Sequence, residues 1–327
     1  MSTRAWIAFA SVSVLWGIPY LFIKVAVDDG MPPAFLAWVR VLLGTAVLLA
    51  LAGRAGVLGS VRGKMRWIAA YAVLEISIPF PLIAAGEQDV SSSLAAILIA
   101  TVPLMIAVLA MRFEPSERVG GRRLLGLLIG FSGVVALVGI DVAGRTSELV
   151  GAALILVAAA GYSAGPMILN RQVRDVDPRA IMGPALGVAA VVLTPFALLD
   201  VPSRTPSGEA LAAVVVLGLF CTALAFVMHI SLLMEVGPGR AAVITYVAPV
   251  VAVGLGVAVL GERPGAGAVA GLLLILAGSW LSTDGGLPPG TAALVTRVRR
   301  PRPPGGTRAV SERYDLANPA TGRSPTQ

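Results

Sequence analysis

Arg40, Glu75 and His229 can each hold or move a charge, and each lies inside a stretch too apolar to solvate it. Arg40 stands about six residues into its run, roughly 9 Å from the edge at 1.5 Å per residue, and Glu75 about eight residues, roughly 12 Å, into the next. Ionisable groups so placed are costly and mark functional candidates. Two readings stand. Arg40 and Glu75 pair and hold helices together, which the cost of a lone charge in lipid favours, or Arg40 holds an anionic group of a bound molecule while Glu75 carries a proton. His229, the single histidine, titrates nearest neutral pH. A neutral imidazole bonded to a neighbouring helix is its plainer reading. Lys24 lies within a turn of a run's end, where its stem lets the ammonium reach the interface. Glu87, Asp89 and Glu235 read as solvated boundary residues.

Trp16, Tyr20, Tyr162 and Tyr246 are candidates for the walls of a small-molecule cavity, which combines aromatic surface with a few polar groups. Pro103 and Pro249 each remove a backbone donor inside an apolar run, which is tolerated where backbone lines a cavity or faces other helices. A packing kink inherited by duplication would account for the prolines equally well, as ordinary helix packing would for any one of the aromatics.

The elements that must position these residues follow from composition. With 57% hydrophobic residues, 13% charged and a mean hydropathy of +0.86, the chain is an all-α polytopic membrane protein. Ten runs are long enough to cross about 30 Å of hydrocarbon: about 6–27, 34–53, 67–87, 92–111, 122–140, 149–169, 180–199, 210–236, 240–260 and 265–283. The first follows Arg4 as a secretory signal would, but without a small-residue cleavage site it reads as a retained helix. With the N-terminus inside, 20 of the 25 Lys and Arg fall on the cytoplasmic face, three on the outer face and two, Lys24 and Arg40, within spans. Basic residues in short loops stay on the cytoplasmic side, so both termini are expected there.

The spans repeat. From Leu94 the chain reads LAAILIATVPLMIAVLAMRFEPSERVGGRRLLGLLIGFSGVVALVG, and from Arg240 RAAVITYVAPVVAVGLGVAVLGERPGAGAVAGLLLILAGSWLS. Ala95-Ala96, Pro103, Glu117-Arg118, Gly126 and Gly133 match Ala241-Ala242, Pro249, Glu262-Arg263, Gly271 and Gly278. Five spans per copy is odd, so the copies enter the membrane in opposite senses. The expected units are residues 1–141, an inverted second repeat over 142–283, and a disordered cytoplasmic tail over 284–327, whose Pro, Gly and Arg cannot form a core. Inverted repeats are the architecture of carriers that bind substrate near the midplane between halves. The glycine spacing allows close helix approach, within one chain or in a homodimer.

These features resemble the EamA-type transporters of the drug/metabolite transporter superfamily. Trp16-Gly17 with Lys24 behind it, Arg40-Val41-Leu42-Leu43, and the doubled Ala-Ala…Pro…Glu-Arg…Gly…Gly pattern carry the resemblance over about residues 6–283. The first Glu-Arg loop is longer, by Glu114-Pro115. The resemblance implies a secondary transporter of small metabolites, often an exporter of amino acids or related compounds, with a central cavity. A non-transporting receptor or assembly subunit that binds a lipid or protein partner is the alternative.

Other chemistries have little to work with. Cys221 is the single cysteine, so disulfide frameworks and Cys/His metal clusters are not expected. Gly161-Tyr162-Ser163-Ala164-Gly165 fits the hydrolase G-x-S-x-G pattern but lies in an apolar helix rather than a strand-to-helix turn. No G-x-x-x-x-G-K-[ST] loop occurs, so the expected energy source is an ion gradient, a proton gradient through Glu75 or His229 among the options, or the substrate's own gradient. No enzyme activity, cofactor, metal or nucleic-acid partner is expected; a small-molecule substrate and the lipid bilayer are. The excess of Arg over Lys and the abundance of Ala and Gly suggest a GC-rich bacterial genome, hence a cytoplasmic membrane.

Overall fold

The computed structural model describes residues 2–113, 121–142, 144–173, 175–236 and 243–282. The expected tail, the Glu117-Arg118 loop and Ala241-Ala242 lie outside the described residues. Within them the chain is helical, with no strand. Eight helices are long and apolar enough to span a bilayer: α1 (Thr3–Asp28), α2 (Pro33–Arg54), α3 (Met65–Asp89), α4 (Ser92–Leu109), α5 (Leu124–Val142), α6 (Thr146–Gln172), α7 (Pro178–Leu199) and α8 (Gly208–Val236). Two shorter apolar helices, α9 (Ile244–Leu260) and α10 (Ala266–Ser282), complete the ten. At 17 residues each they rise about 25 Å.

The helices pack by one rule. α2 lies against α7, α5 against α10 and α4 against α9, each helix meeting the one five places on. The other main contacts come in exchangeable pairs: α3 with α6 and α8 with α1, α1 with α9 and α6 with α4, α2 with α8 and α7 with α3. Adding or subtracting five turns one member of each pair into the other, as a two-fold relation between two five-helix halves requires. The core therefore lies between the halves.

Small residues set the closest approach. A Cβ on Gly278 of α10 would run into the backbone of Gly126 and Gly130 on α5, and one on Gly126 would strike the backbone of Gly278 and Ser282. The glycine stripe is thus used inside the chain, where it brings two backbones into contact.

The two matched prolines act unequally. In α4 the helix breaks after Ile99 and restarts at Val102, with Pro103 in the first turn of the new segment. Both the amide and the hydroxyl of Thr101 turn back to the Leu98 carbonyl, at 3.2 and 2.6 Å. Pro249 sits inside an uninterrupted α9. One expected kink is a true discontinuity and the other is absorbed.

Gly278→Leu should force α5 and α10 apart and cost about 1–3 kcal/mol. A thermal unfolding midpoint equal to that of the parent in the same nanodiscs would contradict this packing.

Candidate functional site

Two matched helices of the halves are locally underwound, and each underwound turn carries polar side chains inward. α3 contains a π-helical turn over Val73–Ser77 and α8 a longer one over Val216–Leu224. Such turns open the helical ladder and recur at functional sites. In each, a hydroxyl takes up the carbonyl five residues back: Ser77 Oγ donates to Ala72 O at 3.2 Å, and Thr222 Oγ1 to Leu217 O at 2.8 Å. The first turn carries Glu75. The second presents Thr222 to Arg40, whose Nε donates to Thr222 Oγ1 at 2.9 Å.

Arg40 is buried, with its guanidinium carbon 4.0 Å from the centre of the Phe80 ring, a cation–π contact. It forms no ion pair with Glu75, so the pairing considered from the sequence is not made. Thr222 and Phe80 take its Nε and its face, and its charge lies within electrostatic reach of Tyr20, Tyr162, Cys221 and Glu87. Tyr20 is likewise within reach of Tyr162 and Glu87, and Tyr162 of Glu75. The structure thus gathers Tyr20, Arg40, Tyr162 and Glu75 from α1, α2, α6 and α3. Neither phenol makes a hydrogen bond among the described residues.

Gly161 and Gly165 explain how Glu75 fits. A Cβ on Gly165 would meet the Glu75 carboxylate, and one on Gly161 the Leu74 carbonyl. The hydrolase-like pattern is a bare helix face against the α3 bulge. Its serine is committed to backbone, Ser163 Oγ lying 2.7 Å from Ala159 O and 3.2 Å from Val102 O.

Glu87 was expected to be solvated, and the structure reverses this. It is 0% exposed, and neither carboxylate oxygen has a hydrogen-bond partner among the described residues; the same is true of Glu75 Oε2. Helical phase is the cause: α3 continues to Asp89, so Gln88 and Asp89 face out while Glu87 turns inward. Lys24 does not simply snorkel either. Its Nζ lies 2.9 Å from Asp28 Oδ1 and donates to the Glu87 backbone carbonyl at 2.9 Å, placing a cation at the C-terminal end of α3.

Trp16, His229 and Tyr246 form a separate group. The Trp16 ring lies 4.6 Å from the His229 ring and 5.8 Å from Phe226. Trp16 and Tyr246 pack on the buried cluster of Phe9, Val12, Leu232 and Ile244, and the Tyr246 hydroxyl reaches Ser279 O at 3.3 Å. His229 Nδ1 is buried without a hydrogen bond among the described residues, so the imidazole packs on an aromatic ring rather than bonding through that nitrogen.

At the end of the bundle that holds Glu262, carboxylates cap helices other than their own. Glu262 accepts from Ser92 N at 2.8 Å, Ser93 N at 3.0 Å and Ser93 Oγ, at the start of α4. Asp141 accepts from Ala268 N near the start of α10 at 2.5 Å, and Asp29 from Ser207 N, before α8, at 2.9 Å. Negative charge there meets orphan amides and the positive end of the dipole. The Ser207 bonds hold the Asp29 carboxyl below its usual range; the support it lends the fold is present above the unfolded pKa and lost as pH falls through the lowered one. A cleft of about 300 Å³ bounded by Ser91, Asp141, Arg145 and Arg263 opens on this face. Sequence reasoning missed these caps. The run Ser91-Ser92-Ser93 is of the kind that starts a helix, and Ser91 caps α4, but nothing local in the sequence shows which carboxylate reaches it.

The chain matches the profile of the EamA-like transporter family twice, over residues 3–139 and 149–283. It is 30% identical over 260 residues to the uncharacterized inner membrane transporter YedA of Escherichia coli (strain K12), covering 78% of this chain and 82% of that one. It is 26% identical over 300 residues to a protein named probable amino-acid metabolite efflux pump of Salmonella typhimurium (strain LT2), covering 84% and 93%. A solved crystal structure superposes with a TM-score of 0.61 at 21% identity, covering 92% of this chain and all of the other, a likeness of fold.

Removing the Glu262 cap by Glu262→Ala should lower stability by about 1–2 kcal/mol. A chemical-unfolding midpoint that does not move would show that the α4 amides are satisfied otherwise.

Proposed function

This chain belongs to the EamA-like transporter family, and on that premise we propose that it is a secondary carrier that exports small polar metabolites, amino acids or related compounds, by alternating access between its two halves. The observation that carries this reading is the gathering of Arg40, Tyr20 and Tyr162 between the halves. The guanidinium has its Nε and its face engaged, which leaves its outer nitrogens as donors for a carboxylate; two phenols stand beside it as further donors. Such a set suits a small anionic or zwitterionic group. The name of the Salmonella relative agrees with that class.

The arginine distribution orients the chain with both termini in the cytoplasm and the Glu262 end outside, in a bacterial cytoplasmic membrane. The caps from Asp29 to α8 and from Glu262 to α4 then join helices of different halves across the outer face, as an outward-closed conformation would. Transport breaks these links and opens that side while closing the other. The break in α4 at Pro103 supplies a local hinge, and Trp16, Tyr246 and Pro249 flank the passage toward the cytoplasm. The proton gradient drives the cycle, with Glu75 rather than the ring-packed His229 as the titrating group.

In proteoliposomes assayed with a panel of labelled amino acids and related metabolites, one class should move and respond to an imposed pH difference. Arg40→Ala should lower its flux tenfold or more, about 1.4 kcal/mol, and Arg40→Lys should rescue it poorly because a point charge does not replace the planar fork. Folded protein that moves none of the panel, or an Arg40→Ala variant at parental rates, would overturn the reading.

A further inference from the structure

Two buried carboxylates with oxygens that lack partners among the described residues stand on α3, at positions 75 and 87. Twelve residues separate them, about 18 Å along the axis, over half the thickness of the hydrocarbon. An ionised carboxylate buried without a protein partner costs several kcal/mol, and a proton is the simplest occupant that neutralises it. The phenols of Tyr20 and Tyr162 link the two electrostatically. Each successive pair, Glu87 with Tyr20, Tyr20 with Tyr162, Tyr162 with Glu75, is within electrostatic reach, and neither hydroxyl is engaged elsewhere among the described residues.

We propose that Glu87, Tyr20, Tyr162 and Glu75 form a proton path through the carrier, with Glu87 as its outer acceptor and Glu75 as its inner donor. Glu87 takes a proton from external water when the outer face opens. Each phenolic oxygen accepts a proton on a lone pair as its own proton leaves toward the next acceptor, water filling the gaps. Glu75 receives the proton and releases it to the cytoplasm. One proton enters and one leaves, with no change of oxidation state. The inference rests on the carrier reading and deepens it by assigning the coupling route.

The surrounding charges suit this role. Glu87 faces Lys24, Asp28 and Tyr20 of α1, Arg40 of α2, and Glu262 from the connection between α9 and α10. Lys24 is held by Asp28 and by a backbone carbonyl and makes no ion pair with the Glu87 carboxylate, while Glu262 is committed to the start of α4. Glu75 faces Tyr71 of its own helix and Tyr162 of α6. Arg40 borders the path at both phenols, and a fixed positive charge in a low-dielectric site opposes a passing proton. Proton passage therefore depends on what Arg40 holds, which is the physical content of coupling. His229 is not among the groups these interactions link.

The full-length chain, reconstituted with entrapped pyranine and a mixture of the twenty common amino acids carrying a radiolabel, tests this under a valinomycin-clamped potential, negative inside. Proton entry should accompany label efflux in the parent. Glu87→Gln and Glu75→Gln should each lower proton entry about tenfold or more, Glu87→Asp should restore part of it, and the exposed control Glu209→Gln should match the parent. Thermal midpoints establish folding; should Glu87→Gln fail to fold, Glu87→Asp and Tyr20→Phe carry the test, each slowing proton entry. Parental proton entry in folded Glu87→Gln, label efflux without proton entry, or movement of neither overturns the path. Proton entry without label efflux would sustain the path and count against amino-acid export, which separates the two claims.

Discussion

Inside a bilayer no water satisfies a polar group, and that constraint shapes every level of this protein. Backbone amides and carbonyls are closed within helices, and at several helix starts and breaks a side chain completes the bonding: Glu262 on α4, Asp141 near α10, Asp29 before α8, Thr101 at the break in α4. Buried hydroxyls such as Ser13, Ser77 and Ser163 bond to carbonyls of their own helices. Of the groups left without a partner among the described residues, the Glu75 and Glu87 carboxylates both lie on α3, and as carboxylates they are the informative ones. A lattice of satisfied polar groups makes a few unsatisfied ones conspicuous.

The same constraint explains how a π-helical turn serves a binding region. In an ordinary helix each carbonyl is taken by the amide four residues on; the turns in α3 and α8 loosen this ladder, and Ser77 and Thr222 take up carbonyls five residues back. Ser77 and Thr222 are 145 positions apart, close to the spacing of the sequence repeat, so the device is doubled along with the fold. Its products differ. One half offers Glu75 to the interior and the other offers a hydroxyl to Arg40, so two copies of one scaffold yield an asymmetric site.

Much of the architecture was legible in the order of residues. Apolar runs of about 20 residues leave a membrane helix as their only stable state, and the matching Ala-Ala, Pro and Gly positions lay out a two-fold plan in the sequence. The grouping of the candidate residues was legible in part. Arg40, Glu75, Tyr20 and Tyr162 were candidates and do converge, whereas Trp16, His229 and Tyr246 pack together apart from them. Glu87 was misread because it lies two residues from a helix end, where exposure is the ordinary outcome; which face it shows depends on the phase of α3 against its neighbours.

What the sequence by itself determined is the class, the ten spans, the doubling and the residues able to do chemistry, because hydropathy, spacing and residue type are local properties of the chain. What only the tertiary structure decided is partnership: Arg40 with Thr222 and Phe80 rather than Glu75, Lys24 with Asp28 and the end of α3, Glu262 with the start of α4, and the Glu87 carboxylate with no hydrogen-bond partner among the described residues. Those outcomes turn on which of several nearby groups reaches a given atom first. That is settled by helix rotation and by contacts across 150 or more residues of chain, as for Arg40 and Thr222 or Glu262 and Ser92, and no periodicity in the sequence encodes it.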